Sequence, residues 1–250
     1  MRKGFTLAEV LITLGVVGVV AALTLPTLIN NYRAKVLETN FKKADAILST
    51  AMRTTMFEHG LTRFYDFGQY CKGNYCTETK SSDYDGLQAT WREQFDIVND
   101  VDLQYIRSRK YKAFGFFGEA KPLYTGYASY FTSWGGQGKG FLLKDGMLIG
   151  TISFWPNNAS EIGSTYHKWT IMPHVFFDTN GPAKGPNRFG YDMFYYLNMT
   201  CHFTSCNPLS DSLGGCYLYA RNDKNPYDSS VSYWKSLYKP KSYWEKLKNK

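Results

Sequence analysis

The stretch FTLAEVLITLGVVGVVAALTLPTLI (residues 5–29) carries one charged side chain, Glu9, in an otherwise apolar run near the N-terminus. As an α-helix this stretch would be about 37 Å long, which exceeds the hydrocarbon core of a membrane, about 30 Å thick. An ionisable side chain at that depth costs about 2.5 kcal/mol or more on insertion scales, and such residues usually have a function. Glu9 is therefore the first candidate functional residue.

The helical pattern continues beyond the apolar stretch. Apolar side chains recur at steps of three and four residues, with charged residues between them, at Leu37, Phe41, Ala44, Leu48, Met52 and Thr55. This amphipathic pattern predicts a single rod from Phe5 to about His59, whose first half spans a membrane and whose second half packs on a soluble domain. Gly60 is expected to end the helix. Pro26 is expected to kink it, because proline lacks an N–H and crowds the preceding turn.

Two simpler interpretations of the N-terminus leave Glu9 unexplained. A secretory signal peptide would be cleaved near Ala21 and Ala22, after a short apolar core. An ordinary membrane anchor would use the whole apolar stretch. A cleaved signal peptide would not be continuous with the amphipathic helix that follows, so the sequence favours one uninterrupted rod.

The segment KGFTLAEVLITLGVVGVVAALTLP (residues 3–26) resembles the N-terminus of type IV prepilins and type II secretion pseudopilins. In that family a short basic leader ends in Gly, a prepilin peptidase cuts after it, and the new terminal residue, usually Phe, is N-methylated. The resemblance implies cleavage between Gly4 and Phe5 and methylation of Phe5. It also places Glu9 at the family's glutamate, the fifth mature residue, and Pro26 at the family's helix kink.

The resemblance further implies that Glu9 acts in assembly. Cleavage leaves a positive α-amine on Phe5 at membrane depth, and a carboxylate can neutralise it because paired charges attract strongly in a low dielectric. In the family this amine belongs to a neighbouring subunit, and the pair sets the axial register of the filament. The alternative is a pair within one chain, since the Phe5 amine lies one helical turn from Glu9.

The location follows from the same resemblance. Basic residues flank the apolar stretch on both sides, with Arg2 and Lys3 before it and Arg33 and Lys35 after it, so charge alone does not orient the chain. The family implies a single-pass protein of the cytoplasmic membrane with its leader in the cytoplasm and its body outside. The mature chain is then expected in a pilus or a periplasmic pseudopilus.

The body is expected to be α+β, with the long helix packed on an antiparallel β-sheet that carries loop-rich insertions. The segment FLLKDGMLIGTISFW (residues 141–155) has an Asp-Gly turn between apolar runs, which indicates a β-hairpin. WTIMPHVFFD (169–178) and YDMFYYLN (191–198) indicate two further strands. WREQFDIVNDV (91–101) is interpreted as a short helix.

These signals divide the chain into a leader, a filament-core or transmembrane half-helix and an extracytoplasmic pilin-like domain. Within that domain an amphipathic half-helix is followed by a variable region, the sheet and a basic region that contains cysteines. The expected bounds are 1–4 for the leader, 5–29 for the apolar half-helix and 30–250 for the domain, which is subdivided at 30–59, 60–121, about 122–200 and 201–250.

Five cysteines fall into two groups, Cys71 with Cys76 and Cys201 with Cys206 and Cys216. Outside the cytoplasm we expect Cys71 to pair with Cys76 and two of the other three to pair, leaving one thiol over. In the cytosol the same groups would suggest zinc. Disulfides are favoured because the C-x4-C spacings are looser than those of zinc ribbons and no histidine recurs at a ligand interval.

The loop DTNGPAKGPNRFGYD (residues 178–192) separates the last two predicted strands. Asp178, Asn180, Asn187 and Asp192 offer oxygens that calcium could bind, although Gly181 stands fourth from Asp178 instead of sixth as in an EF-hand. The loop also resembles a pattern found between late strands of pseudopilin-like proteins, some of which bind calcium. A structural turn is favoured, and calcium is the one cofactor considered.

Catalytic signals are weak. The sequence GGQGKG (135–140) lacks the spacing and the Ser or Thr of a phosphate-binding loop, and neither G-x-S-x-G nor H-E-x-x-H occurs. Near the C-terminus SYWKSLYK (232–239) is echoed by SYWEKLK (242–248). Alternating Tyr, Trp and Lys could stack bases and neutralise phosphates, but a helix packed on the body is favoured.

The predicted function is therefore structural and not enzymatic: a subunit, minor in view of its length, of a type IV pilus or a type II secretion pseudopilus. The implied partners are the prepilin peptidase, other pilin or pseudopilin subunits, the inner-membrane assembly platform and membrane lipid. Two alternatives remain. One is a minor pilin that binds DNA for uptake, and the other is a membrane-anchored extracellular binding protein or enzyme.

Overall fold

A computed structural model of the chain describes residues 6–62, 82–119, 139–155, 172–197, 206–210 and 216–249. The expected processing site at Gly4 and Phe5 lies outside these residues, as do Cys71, Cys76 and Cys201.

A single helix, α1 (Leu7–Glu58), accounts for the first 52 residues of regular structure. At 1.5 Å per residue it is about 78 Å long, in agreement with the predicted rod. Pro26 lies inside the helix. The helix ends just before Gly60, whose φ of +64° is a conformation that glycine adopts without strain.

Six strands form one antiparallel sheet, so the expected α+β architecture is confirmed. The long strand β5 is its centre: β3 and β4 pair with one edge of β5 and β6 pairs with the other. Strand β2 joins β3 to β1 at the outer edge. The bounds are β1 Ile97–Asp102, β2 Lys139–Leu143, β3 Leu148–Gly150, β4 Ser153–Trp155, β5 Met172–Asp178 and β6 Met193–Leu197.

The predicted hairpin is present between β2 and β3. Asp145 accepts a hydrogen bond of 3.0 Å from the Met147 N–H, and Gly146 has a φ of +95°. Lys43 of α1 forms an ion pair of 2.6 Å with Asp145, which fixes the turn against the helix. The Asp-Gly pair therefore forms the turn that the sequence indicated.

Two expectations for the region 60–121 are wrong. Helix α2 (Ser82–Glu93) ends at Glu93, and the following residues form β1 instead of continuing the helix. The sheet consequently begins at Ile97, well before residue 122. Asn99 and Asp100 are poor strand formers, so β1 shows no local strand signal and is formed by its pairing with β2.

The amphipathic half of α1 packs on the sheet through an aromatic core. The Phe41 ring lies 4.8 Å from Phe194, 5.3 Å from Trp234 and 5.6 Å from Tyr217, measured between ring centroids. Rings at these distances in tilted and edge-to-face arrangements stabilise a core beyond the area they bury. Leu48 is fully buried on the same face of the helix. The second half of α1 is thus a core element of the domain.

The C-terminal region folds onto α1 and the sheet. Tyr217 donates a hydrogen bond to the Asp45 carboxylate on α1, and the Arg221 Nε atom lies 3.4 Å from the same carboxylate. Trp244 is fully buried and meets Phe116 edge-to-face at 4.9 Å. The short helices of the body are α3 (Leu103–Ser108), α4 (Cys216–Arg221), α5 (Tyr233–Ser236) and α6 (Lys241–Lys248), with a 3-10 turn at Pro208–Ser210.

Candidate assembly and metal-binding sites

The apolar half of α1 is the candidate assembly site. Within the described residues α1 is the one helix that is long and apolar enough to cross a membrane; its most apolar window has a mean hydropathy of 2.2 and none of that window is buried. Leu11, Val16 and Leu23 are among the side chains left exposed. An exposed apolar surface of this size requires lipid or other helices around it.

Two threonine hydroxyls in this half form hydrogen bonds within the helix. The Thr13 hydroxyl donates to the Val10 carbonyl and the Thr24 hydroxyl to the Val20 carbonyl, each at 2.9 Å. Polar groups at membrane depth have no water to bond, so internal hydrogen bonds reduce the cost of insertion. These hydroxyls are therefore compatible with a lipid environment.

Glu9 forms a capping box with Thr6. Its carboxylate accepts hydrogen bonds from the Thr6 N–H and the Thr6 hydroxyl, both 2.8 Å long, and the Glu9 N–H donates to the Thr6 Oγ1 atom at 3.2 Å. The carboxylate is thereby held at the positive end of the helix dipole. The pattern Thr6-Leu7-Ala8-Glu9 is the usual signal for this contact, which was not predicted.

The loop 178–192 is the candidate metal site, and the structure brings its two acidic residues together. Asp178 accepts hydrogen bonds from the N–H groups of Asn180 (3.1 Å) and Gly181 (2.9 Å). Asp192 accepts from the N–H groups of Asn187 (2.9 Å) and Arg188 (2.7 Å). Both carboxylates are 0% exposed. The loop is therefore wrapped around two buried carboxylates.

The electrostatics of this loop favour a positive partner. Burial raises the pKa of Asp192 well above its usual range, and the nearby Asp178 raises it further, while the hydrogen bonds from Arg188 and Asn187 act in the opposite direction. Two buried carboxylates close together cannot both be charged without compensation. A proton or a bound cation provides that compensation.

The two asparagines of the loop supply further oxygen atoms. The Asn180 amide donates to the Gly185 carbonyl (2.7 Å), and the Asn187 amide donates to the Pro182 (2.8 Å) and Lys112 (3.1 Å) carbonyls. The Oδ1 atoms of both asparagines are buried and accept no hydrogen bond within the described structure. Carboxylate and amide oxygens are both ligand types that calcium accepts.

Other metals fit less well. The described part of the chain contains no group of three or more His, Cys, Asp or Glu residues that could hold a metal ion. Zinc prefers sulfur and imidazole ligands, whereas calcium accepts amide and carboxylate oxygens and completes its shell with water. The oxygen atoms of Asp178, Asn180, Asn187 and Asp192 are ligands of the type that calcium accepts and zinc does not prefer.

Among the cysteines, Cys206 and Cys216 form a disulfide that joins the 3-10 turn to α4. Both residues are buried. The bond closes a short loop, because the two cysteines are 10 positions apart. It stabilises the end of the chain that packs on α1.

The aromatic rings of the C-terminal repeat are inside the fold. Tyr233, Trp234 and Trp244 are at most 2% exposed, and the Trp234 Nε1–H donates to the Ala220 carbonyl at 3.0 Å. Bases stack on exposed rings, so these three cannot form a stacking platform while the domain is folded. The lysines of the repeat remain exposed.

A cleft of about 720 Å³ lies between α2, β1 and α3, away from every site that the sequence indicated. Arg92 and Asp100, which line it, form an ion pair with each other. Its described lining includes no histidine or cysteine.

Comparison with protein families gives one finding. A family model described as the prokaryotic N-terminal methylation motif matches residues 1–25. This motif is the N-terminal signal of type IV prepilins and pseudopilins, so the resemblance of residues 3–26 is confirmed. No curated protein and no solved structure matches the chain.

Proposed function

From the prepilin-type signal at its N-terminus, we propose that this chain is a structural subunit of a type IV pilus or a type II secretion pseudopilus. The observation that carries the proposal is α1, which joins an exposed apolar half to an amphipathic half embedded in the domain. Such a helix is soluble in lipid before assembly and can pack against equivalent helices afterwards. The motif indicates a structural pilin and not an enzyme.

The proposed subunit is a minor one. A chain of 250 residues is long for the repeating subunit of a filament in this family. Helices α2 and α3 and the C-terminal helices α4, α5 and α6 add to the body beyond α1 and the sheet. A tip or priming role would make use of such a larger body.

Glu9 is the proposed assembly residue. Its carboxylate points to the N-terminal end of α1, where cleavage after Gly4 would create the α-amine of Phe5. An amine from a neighbouring subunit at this position would pair with the carboxylate in a low dielectric. The pair would fix the axial position of each subunit.

Calcium binding by the loop 178–192 is proposed as a structural feature of the body. Asp178 and Asp192 would supply the negative charge, and the Oδ1 atoms of Asn180 and Asn187 would supply neutral ligands. A bound calcium ion would stabilise both buried carboxylates in their charged form. The ion would thus stabilise the connection between β5 and β6.

Mass spectrometry of the mature chain tests the assignment. We expect an N-terminus at Phe5 carrying one methyl group, and we expect the same species in sheared surface filaments or in an overproduced pseudopilus. An N-terminus at Leu23, after Ala22, would identify a secretory signal peptide and contradict the proposal.

A further inference from the structure

The base of the body lies very close to the membrane surface. Ile29 ends the apolar stretch, and Ala34 is the first residue of α1 that the body buries. Ala34 is five positions further along the helix than Ile29, which corresponds to about 7.5 Å. The headgroup layer of one leaflet is about 5–7 Å thick. The part of the body that surrounds Ala34 must therefore touch the headgroups whenever the apolar half of α1 spans a membrane.

Trp234, four residues before Tyr238, meets Phe41 of α1 at 5.3 Å between ring centroids, and the charge of Arg33, next to Ala34, acts on Tyr238. Both observations place the base beside Tyr238. Its ring meets Tyr191 edge-to-face at 5.8 Å, and the Arg188 guanidinium lies over the Tyr191 ring at 4.8 Å. Burial raises the pKa of Tyr238, whereas the charges of Arg33 and Arg188 act to lower it. Both guanidinium groups are consequently within electrostatic reach of the Tyr238 hydroxyl, and Lys239 is the next residue in the chain.

Three separate segments thus contribute one basic side chain each to the base: α1, the loop 178–192 and the C-terminal region. We call this surface the basic face, formed by Arg33, Arg188 and Lys239 around Tyr238. None of the three basic side chains forms an ion pair with a carboxylate in the part of the chain that the structure describes. Two acidic side chains lie near this surface: the charge of Glu119 acts on Tyr191, and that of the buried Asp192 acts on Tyr238. The basic face keeps a net positive charge.

We propose that the basic face binds the anionic phospholipid headgroups of the leaflet from which α1 emerges. Arginine is suited to this partner because its planar group donates two parallel hydrogen bonds to a phosphate. Tyrosine is enriched at the membrane interface, where its ring lies in apolar surroundings and its hydroxyl in water. Tyr32, 70% exposed on α1 beside Arg33, has the same location as Tyr238.

This inference rests on the membrane-spanning role of α1 and not on filament assembly. Headgroup binding would hold the body in one orientation above the membrane before a subunit enters a filament. Each basic residue near an anionic surface strengthens the attraction by about 1 kcal/mol, which is about fivefold. Arg33, Arg188 and Lys239 would act together because they meet the same leaflet.

Hydrogen–deuterium exchange of the full-length chain in lipid nanodiscs tests the proposal. One set of nanodiscs contains phosphatidylcholine only, and the other contains phosphatidylcholine with about one third phosphatidylglycerol. We expect amide exchange in segments 186–190 and 237–243 to be about fivefold slower or more in the anionic nanodiscs. Equal exchange in the two lipids would overturn the proposal.

Matched variants distinguish the effect of charges on the basic face from the effect of the total charge of the chain. Arg33→Gln, Arg188→Gln and Lys239→Gln combined should abolish the lipid-dependent slowing. Arg53→Gln, Arg107→Gln and Lys139→Gln remove the same charges elsewhere: Arg53 is about 30 Å further along α1, Arg107 lies on α3, and Lys139 lies on β2 opposite Asp102 of β1. The control combination should retain the slowing, and slowing that survives in the first combination would contradict the proposal.

Additional arms identify the ligand. Glycerol phosphate added to neutral nanodiscs should not reproduce the slowing, because a free phosphate lacks the local concentration of a leaflet; if it does, the site binds phosphate and not the membrane. Duplex DNA that slows the same segments equally would mark a general polyanion surface and overturn the assignment. Slow amide exchange of residues 7–29 in every nanodisc verifies that α1 is inserted in the membrane. Loss of this protection would show that α1 is not inserted, which is a different outcome from a basic face that does not bind headgroups.

Discussion

The Glu9 carboxylate accepts two hydrogen bonds from Thr6, one from its N–H and one from its hydroxyl, each 2.8 Å long. These bonds hold the carboxylate at the N-terminal end of α1 before any partner arrives. Capping of the helix and pairing with an amine are therefore two distinct properties of one side chain. They can be separated, because glutamine also completes a capping box but carries no charge.

Glu9→Gln should leave the chain inserted in the membrane and cleaved. Its incorporation into filaments should fall by about tenfold or more, because losing a buried charge pair costs more than about 1.4 kcal/mol of association free energy. Thr6→Ala is the control, because it removes the cap, costs about 1 kcal/mol of helix stability and keeps the charge. Sheared-filament fractions and crosslinking between subunits measure incorporation. If Glu9→Gln assembles normally while Thr6→Ala does not, capping is the function of Glu9.

Calcium should stabilise the body. At about 5 mM calcium, a site with a Kd of about 10⁻⁴ M, which is typical of extracellular modules, adds about 2 kcal/mol to the free energy of unfolding. For a domain of this size that raises Tm by about 5 °C. Magnesium at the same concentration should have little effect, because it requires a stricter octahedral shell. Thermal unfolding of the full-length chain with calcium, magnesium or a chelator measures the shift.

Asp192→Asn tests the calcium site directly. The substitution leaves one oxygen to accept from two N–H groups, so it should destabilise the domain by about 1–3 kcal/mol even without calcium. It should also abolish the rise in Tm that calcium causes. Asp228→Asn changes a carboxylate in a turn away from the loop, where Asp228 accepts from Ser230, and should keep the full calcium response. An equal calcium response in all three proteins would contradict the assignment.

Replacing Cys206 and Cys216 by alanine should lower the free energy of unfolding by about 2.5–3 kcal/mol, the chain-entropy value for a loop of this length. Reductant should destabilise the parent chain to a similar extent and leave the double variant unaffected. Denaturant unfolding with and without reductant provides the comparison. Nonreducing peptide maps that show Cys201 bonded to either partner would contradict the assigned pairing.

Trp244→Ala should destabilise the domain by about 3–5 kcal/mol, because it empties a buried site against Phe116. Lys246→Ala, on the exposed side of α6, should change stability by less than about 0.5 kcal/mol. Neither variant should change affinity for DNA, since Tyr233, Trp234 and Trp244 are buried and offer no stacking surface. A titration with duplex and single-stranded DNA at two salt concentrations measures this, and a large salt-dependent loss in Lys246→Ala would support DNA binding by the tail.

Elements with a strong local pattern were predicted well. The rod from Phe5 to His59 corresponds closely to α1, and the Asp-Gly hairpin and the strands β5 and β6 lie where the sequence indicated. Strand β1 was not predicted, because Asn99 and Asp100 weaken its local strand signal. The strand forms because it pairs with β2. The capping box was missed although its pattern is local, because Glu9 had been considered only as a partner for the amine.

The sequence by itself determined the processing signal, the length of α1 and the positions of its apolar and amphipathic halves, because these depend on residue types a few positions apart. Only the tertiary structure decided that Asp178 and Asp192 are buried together, that Cys206 pairs with Cys216, and that the rings of Tyr191 and Tyr238 meet. Each of these pairs is ten or more positions apart in the sequence. Their distances depend on how α1, the sheet and the C-terminal helices pack, and no local pattern encodes that packing.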